Sequence, residues 1–166
     1  MFKIVFYYEE LSVFTNIRQE FQRYIDNSVY REYFESLSDE EFEELVATGA
    51  ITINTYQEGD IIISEDEQGE KICFMNEEGV IRINRIERGV VTQTIQVEGS
   101  TTFGDRAAFR RYRGQEERGN WSIEASRTCT IVEINADIFI EHMNNEKAVQ
   151  EMMLLYPSLS EEVCRE

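Results

Sequence analysis

The sequence predicts an α+β fold, mainly β: an antiparallel β-roll or jelly roll of about eight strands, with helices before and after it. Three observations predict it. Glycines stand at Gly49, Gly59, Gly69, Gly79, Gly89 and Gly99, one every ten residues. Between them lie short runs rich in Ile, Val, Thr and Tyr, and turn residues at that interval separating β-branched runs are the mark of a roll, barrel or sandwich. Helical spacing of apolar residues is confined to the two ends of the chain.

Taken in order, residues 1–8 fit either a strand or an unstructured lead. Residues 11 to 35 read as helix, because Phe14, Ile17, Phe21, Tyr24 and Ile25 repeat at helical spacing with polar residues between them. Asn27-Ser28 is a candidate break, after which Tyr30, Tyr33 and Phe34 continue an aromatic face. Ser38-Asp39-Glu40-Glu41 opens a second helix, with Ser38 as N-cap and Glu41 at the capping-box position, and Gly49 ends it. Strands are expected at 51–56, 61–64, 71–76, 80–86 and 90–97. The run Val80, Ile81, Ile83, Ile86 is too apolar for strict alternation, so that strand is expected to be covered on both faces. Glu65 to Glu70 reads as a solvated acidic turn, since its spacing is wrong for a calcium loop. Two more strands follow at 121–125 and 128–134. Asn135 then caps a helix through Phe139 and Met143, with His142 expected on its surface. A last, methionine-rich helix carries Ala148, Val149, Met152, Met153, Leu155 and Tyr156 and stops at Pro157. The chain reads as a single domain: helices over 1–49, the roll over 50–134, helices over 135–156 and a tail over 157–166.

Composition narrows the function. The 166 residues carry a formal net charge of -17, with 33 acidic side chains against 16 basic ones. Such a field repels nucleic acid and anionic membranes and favours basic partners or plain solubility. Three widely spaced cysteines, with Cys73 and Cys129 in apolar runs, read as buried thiols of a reducing, cytoplasmic setting, not as a disulfide framework or zinc site. One histidine, His142, argues against a histidine metal centre, a catalytic triad or a cupin-like enzyme. The first ten residues are too short an apolar run to span a membrane or to act as a signal peptide. The expectation is a non-enzyme with no metal and no resident cofactor.

One stretch reverses the charge. From Thr102 to Ala125 the chain becomes basic, with Arg106, Arg110, Arg111, Arg113 and Arg118. It opens on Phe103-Gly104-Asp105-Arg106-Ala107-Ala108-Phe109, which reads as a tight turn feeding a short helix. The first amides of such a helix lack internal partners and suit an anion. An arginine-rich surface loop that balances local charge is the other reading.

The run Tyr56 to Ile83, with Gly59, Gly69 and Gly79 and the apolar residues between them, resembles the opening β-roll of the cyclic nucleotide-binding domain family. Phe103 to Ala108 falls where that family has its phosphate-binding cassette, here 103–119. The leading helices resemble its N-terminal helical bundle, and residues 136–156 its hinge and lid helices. The resemblance covers roughly residues 30–156. It implies a regulatory module in which Gly104, Asp105, Arg106 and Ala107 cradle a phosphate, Asp105 accepts from a ribose hydroxyl, Ser122 offers a hydroxyl and Tyr156 covers a base. It implies a cyclic nucleotide as ligand, with output through the C-terminal helices to a protein partner or to a part absent from this chain, since no helix-turn-helix follows residue 156. Departures are visible too. Asp105 is one methylene shorter than the family's usual glutamate. Gly119 stands where the family's phosphate-pairing arginine belongs, with Arg118 one residue off, and Trp121 replaces a small residue and is bulky enough to fill the pocket. Losing that arginine weakens phosphate binding by roughly two to three orders of magnitude unless Arg106 or Arg118 substitutes. The alternative is a degenerate module that keeps the fold, has lost the ligand and serves as a protein-interaction scaffold.

Overall fold

Helix α1 runs through residues 17–25, α2 is Arg31–Ser36 and α3 is Asp39–Ala47. The structure, a computed structural model, describes residues 17–26, 28, 30–112, 114 and 120–143. The expected helix over 11–35 is therefore two helices separated at the Asn27-Ser28 break, and its first turns lie outside the described residues. The expected capping box is present: Ser38 Oγ accepts from the Glu41 amide at 3.1 Å and Glu41 Oε1 accepts from the Ser38 amide at 3.1 Å. Two of the orphan donors of α3 are thus satisfied by the side chains flanking its first turn. Arg18 ties α1 to the same corner, donating to Asp39 Oδ1 at 2.8 Å and to the Leu37 carbonyl at 2.7 Å.

Eight strands follow: β1 Ile51–Tyr56, β2 Ile61–Ile63, β3 Lys71–Met75, β4 Val80–Glu87, β5 Val90–Glu98, β6 Thr101–Phe103, β7 Trp121–Ala125 and β8 Cys129–Asn135. They form two antiparallel four-stranded sheets, β1-β8-β3-β6 and β2-β7-β4-β5. The β-roll read from the sequence is present. Strand β6 was not anticipated, because three residues carry no periodicity; it exists by pairing Phe103 with Cys73 and Thr101 with Met75. The acidic turn contains one 3₁₀ turn, Glu65–Glu67.

Strand alternation sorts the first sheet into two faces. Ile72 and Phe74 of β3, Val132 and Ile134 of β8 and Ile51 of β1 join a cluster with Phe21, Tyr30, Phe34, Phe42 and Phe139, which packs the helices onto the outer face. Cys73, Met75, Cys129 and Ile131 point the other way and meet Ile62, Ile63, Ile81, Phe103, Ile123 and Ala125 inside the roll. The second sheet is different. On β4, Val80, Ile81 and Asn84 are buried, and its outer face carries the polar residues Arg82 and Asn84. The expected double coverage of β4 therefore holds only in part: its outer face is closed at Val80 and Asn84 by neighbouring strand residues, and among the described residues no helix lies over it.

Two short helices complete the described chain: α4, Asp105–Tyr112, and α5, Ala136–Met143. Asn135 Oδ1 accepts from the Ile138 amide at 3.1 Å, the expected cap. His142 is not the surface residue expected of it. It is half-buried, hydrogen-bonded to the Tyr33 hydroxyl, with Glu41 3.9 Å from its other ring nitrogen. The cause is that α5 packs its last turn against α2 and α3. Cys73 and Cys129 are buried thiols, as expected; Cys164 and the expected helix at 148–156 lie outside the described residues. No described helix is long and apolar enough to cross a membrane.

Candidate functional site

The turn into α4 is built by a steric requirement. Gly104 has φ +82°, and a Cβ there would sit 2.6 Å from the Lys71 carbonyl oxygen and 3.0 Å from Ile63 Cδ1. Glycine alone fits both the left-handed backbone and the close approach. Helix α4 then starts at once, its Ala108 amide donating to the Gly104 carbonyl at 3.2 Å. Asp105 favours the positive end of the helix dipole, and Arg110 and Arg111 complement the negative end. Arg111 also reaches the Gly69 carbonyl at 3.4 Å and Asp137 of α5 at 3.6 Å. The second of these pairs is exposed and contributes little to stability.

Gly104, Asp105, Arg106 and Ala107 are thus gathered on one turn, as the sequence indicated, but the acid is already engaged. Asp105 is 4 % exposed. Its Oδ2 accepts from the Tyr30 hydroxyl at 3.3 Å, and its Oδ1 accepts from the Arg106 amide at 3.0 Å. Tyr30 itself is wedged between Phe74, Phe109 and Phe139. At 3.3 Å the bond is long, so burial and the aromatic packing of Tyr30 fix the direction of the carboxylate. The carboxylate therefore links α4 to the N-terminal helices.

At the far side of the roll, Trp121 opens β7 and packs against the inner cluster with Tyr56, Ile83 and Val97. Gln68 Nε2 holds its carbonyl at 2.5 Å. Because Ile123 and Ala125 point inward, Ser122 and Glu124 point outward. Ser122, expected to offer its hydroxyl to a ligand, is turned away from the interior and lies beside Asn84 on the outer face. There Asn84 donates to Glu124 at 3.0 Å and Arg82 pairs with it at 3.3 Å. Arg118 and Tyr156 lie outside the described residues.

The inner face of the first sheet also holds a polar network that the sequence reading missed. Glu133, 8 % exposed, accepts from Lys71 Nζ at 2.6 Å and also from the Tyr56 hydroxyl and the Asn54 amide. Burial and the neighbouring carboxylate push Tyr56 up to about 12. For Lys71, burial works against the charge, but the hydrogen bond and attraction from Glu133 outweigh it and raise the pKa overall. Burial pushes the Cys73 thiol far up, so it is inert as a nucleophile. The available signal was a lone acid in the apolar run Ile131-Val132-Glu133-Ile134. Tyr30 and Gln68 gave no comparable signal, since their partners lie 75 and 53 positions away.

The double-sheet roll, with a glycine turn and short helix between its sixth and seventh strands and helices at both ends, defines an architecture shared by regulatory proteins of known structure. The sensor domain of the transcriptional regulator DNR from Pseudomonas aeruginosa matches with a TM-score of 0.62 at 13 % identity, over 90 % of this chain and 95 % of that one. A protein from Geobacter metallireducens assigned as cyclic nucleotide-binding matches with a TM-score of 0.54 at 17 % identity, over 82 % and 89 % of the two chains. The catabolite activator protein of Thermus thermophilus matches with a TM-score of 0.51 at 18 % identity, over 80 % of this chain and 60 % of that one. No family model and no curated protein sequence matches the chain. What is shared at these identities is the fold, and this chain has the fold of the cyclic nucleotide-binding domain.

Proposed function

We propose that the chain is a non-catalytic regulatory module that keeps the cyclic nucleotide-binding fold but acts through protein contact, without capturing a cyclic nucleotide. The observation that carries this reading is Asp105. In the family the chain resembles, the acid at that place accepts from a ribose; here it is 4 % exposed and takes the Tyr30 hydroxyl. The inward packing of Trp121 and the outward turn of Ser122 support the same conclusion, as does Gly119 in the place of the phosphate-pairing arginine. With a net charge of -17, the partner that fits is basic.

A specific observation favours the sensor reading: a left-handed Gly104 leads directly into α4, with Arg106 on its first turn. In that reading Gly104, Asp105, Arg106 and Ala107 hold the phosphate, with Arg118 and Tyr156 completing the site. Titration calorimetry with cAMP and cGMP separates the two. The expected result is no heat up to about millimolar ligand, with the circular dichroism of a folded β-protein retained. Binding at micromolar concentration that disappears in Arg106→Ala would overturn the proposal and establish the sensor.

A further inference from the structure

Four strands end the two sheets: β1, β6, β2 and β5. Strands β2 and β6 are three residues long, too short to template another strand, and β1 has α3 packed against it. Among the described residues strand β5 has none of these protections. It is nine residues long, the longest strand described, and among the described residues its one strand partner is β4. Val90 and Val91 are 63 % and 52 % exposed. Residues 90–97, VVTQTIQV, carry no charge in a chain whose residues are 30 % charged, and they contain no proline. Natural sheets guard such an edge with lysine, proline or a bulge. Among the described residues the guard is a register shift between Arg85 and Ile86, which leaves Gln93 to Glu98 as a regular backbone run.

We propose that this edge pairs antiparallel with β5 of a second copy of the chain, joining two four-stranded sheets into one of eight strands. The sequence of the run supports self-pairing. With the two-fold axis on Ile95, Ile95 faces Ile95, Thr94 faces Gln96 and Gln93 faces Val97. No like charges meet, and the interface is isologous, as a two-fold dimer requires. The acidic surface opposes association through its long-range field, and the edge itself adds no local repulsion. Salt, which shortens that field to about 8 Å at physiological strength, therefore strengthens the dimer. The proposal does not depend on whether a nucleotide binds.

The test is the mass of the full chain by sedimentation or light scattering across a concentration series, at about 0.05 M and about 0.5 M salt. The expected result is twice the chain mass, with tighter association at the higher salt. The double variant Thr94→Lys/Gln96→Lys sets lysine against lysine twice across the axis. It raises the dimer dissociation constant by about tenfold, although it makes the chain less negative. Mixing Thr94→Lys chains with Gln96→Glu chains sets lysine against glutamate once across the axis and gives a heterodimer tighter than either homodimer. That arm also decides the matter if the double variant does not fold. A monomer at both salts, a double variant as dimeric as the parent, or no gain in the mixture overturns the proposal.

Discussion

The sheet β1-β8-β3-β6 has helices on its outer face and the roll interior on its inner one, whereas among the described residues β2-β7-β4-β5 has the interior on one face and no helix on the other. Their sequences differ accordingly. Strand β3 reads Lys-Ile-Cys-Phe-Met and is buried from its second residue to its last, while β5 mixes polar and apolar residues and is exposed along most of its length. Polar groups follow the same division. On the covered sheet Glu133 accepts from three neighbours at once; on the other, buried Asn84 donates to Glu124, which with Arg82 is partly exposed. One sheet thus anchors the helices, and the other presents a surface.

The largest test of that contrast is truncation on each side. Phe74, fully buried under the helices, is expected to cost about 4 kcal/mol on Phe74→Ala, whereas Val91→Ala on the open edge costs less than about 0.5 kcal/mol, both read from urea denaturation. Comparable losses at the two positions would mean that the open sheet is covered after all. Next comes Gly104→Ala, where a left-handed φ and a backbone clash combine; a loss of about 3 kcal/mol is expected. Gly59 has φ +88° but open space around it, so Gly59→Ala costs only the conformational penalty of about 1 kcal/mol. Equal effects would remove the claim that the Lys71 carbonyl shapes the cassette turn.

The smallest effect is a pH dependence confined to the covered sheet. Unfolded tyrosine releases its proton near pH 10, but folded Tyr56 holds it to about 12. Between those values the unfolded state binds fewer protons, so stability falls as pH rises. Lys71, also raised, adds in the same direction. The urea midpoint of the parent is expected to decline across this window, and Tyr56→Phe to decline less. An identical decline in both would show that Tyr56 titrates normally.

Local signals made most of the fold legible. The capping box at Ser38, the ten-residue glycine interval and the Asn135 cap each act within a few residues, and each element they predicted is present. Strand β6 was hidden because pairing with β3, and not its own pattern, makes it a strand. The candidate site was half legible. Gly104 and the start of α4 could be read from a tight turn before alanines, but the direction of Asp105 depends on Tyr30, whose place is set by packing among aromatics distant in sequence. The same limit hid His142, whose partner Tyr33 is 109 residues earlier.

Helix α4 touches three parts of the molecule within its short length: Tyr30 through Asp105, the β3 carbonyl of Lys71 through the glycine before it, and α5, against which it packs directly. It behaves as a keystone, since a tilt of this one segment strains the leading and trailing ends of the chain together. A protein that grips either end can therefore read, or set, the same internal posture.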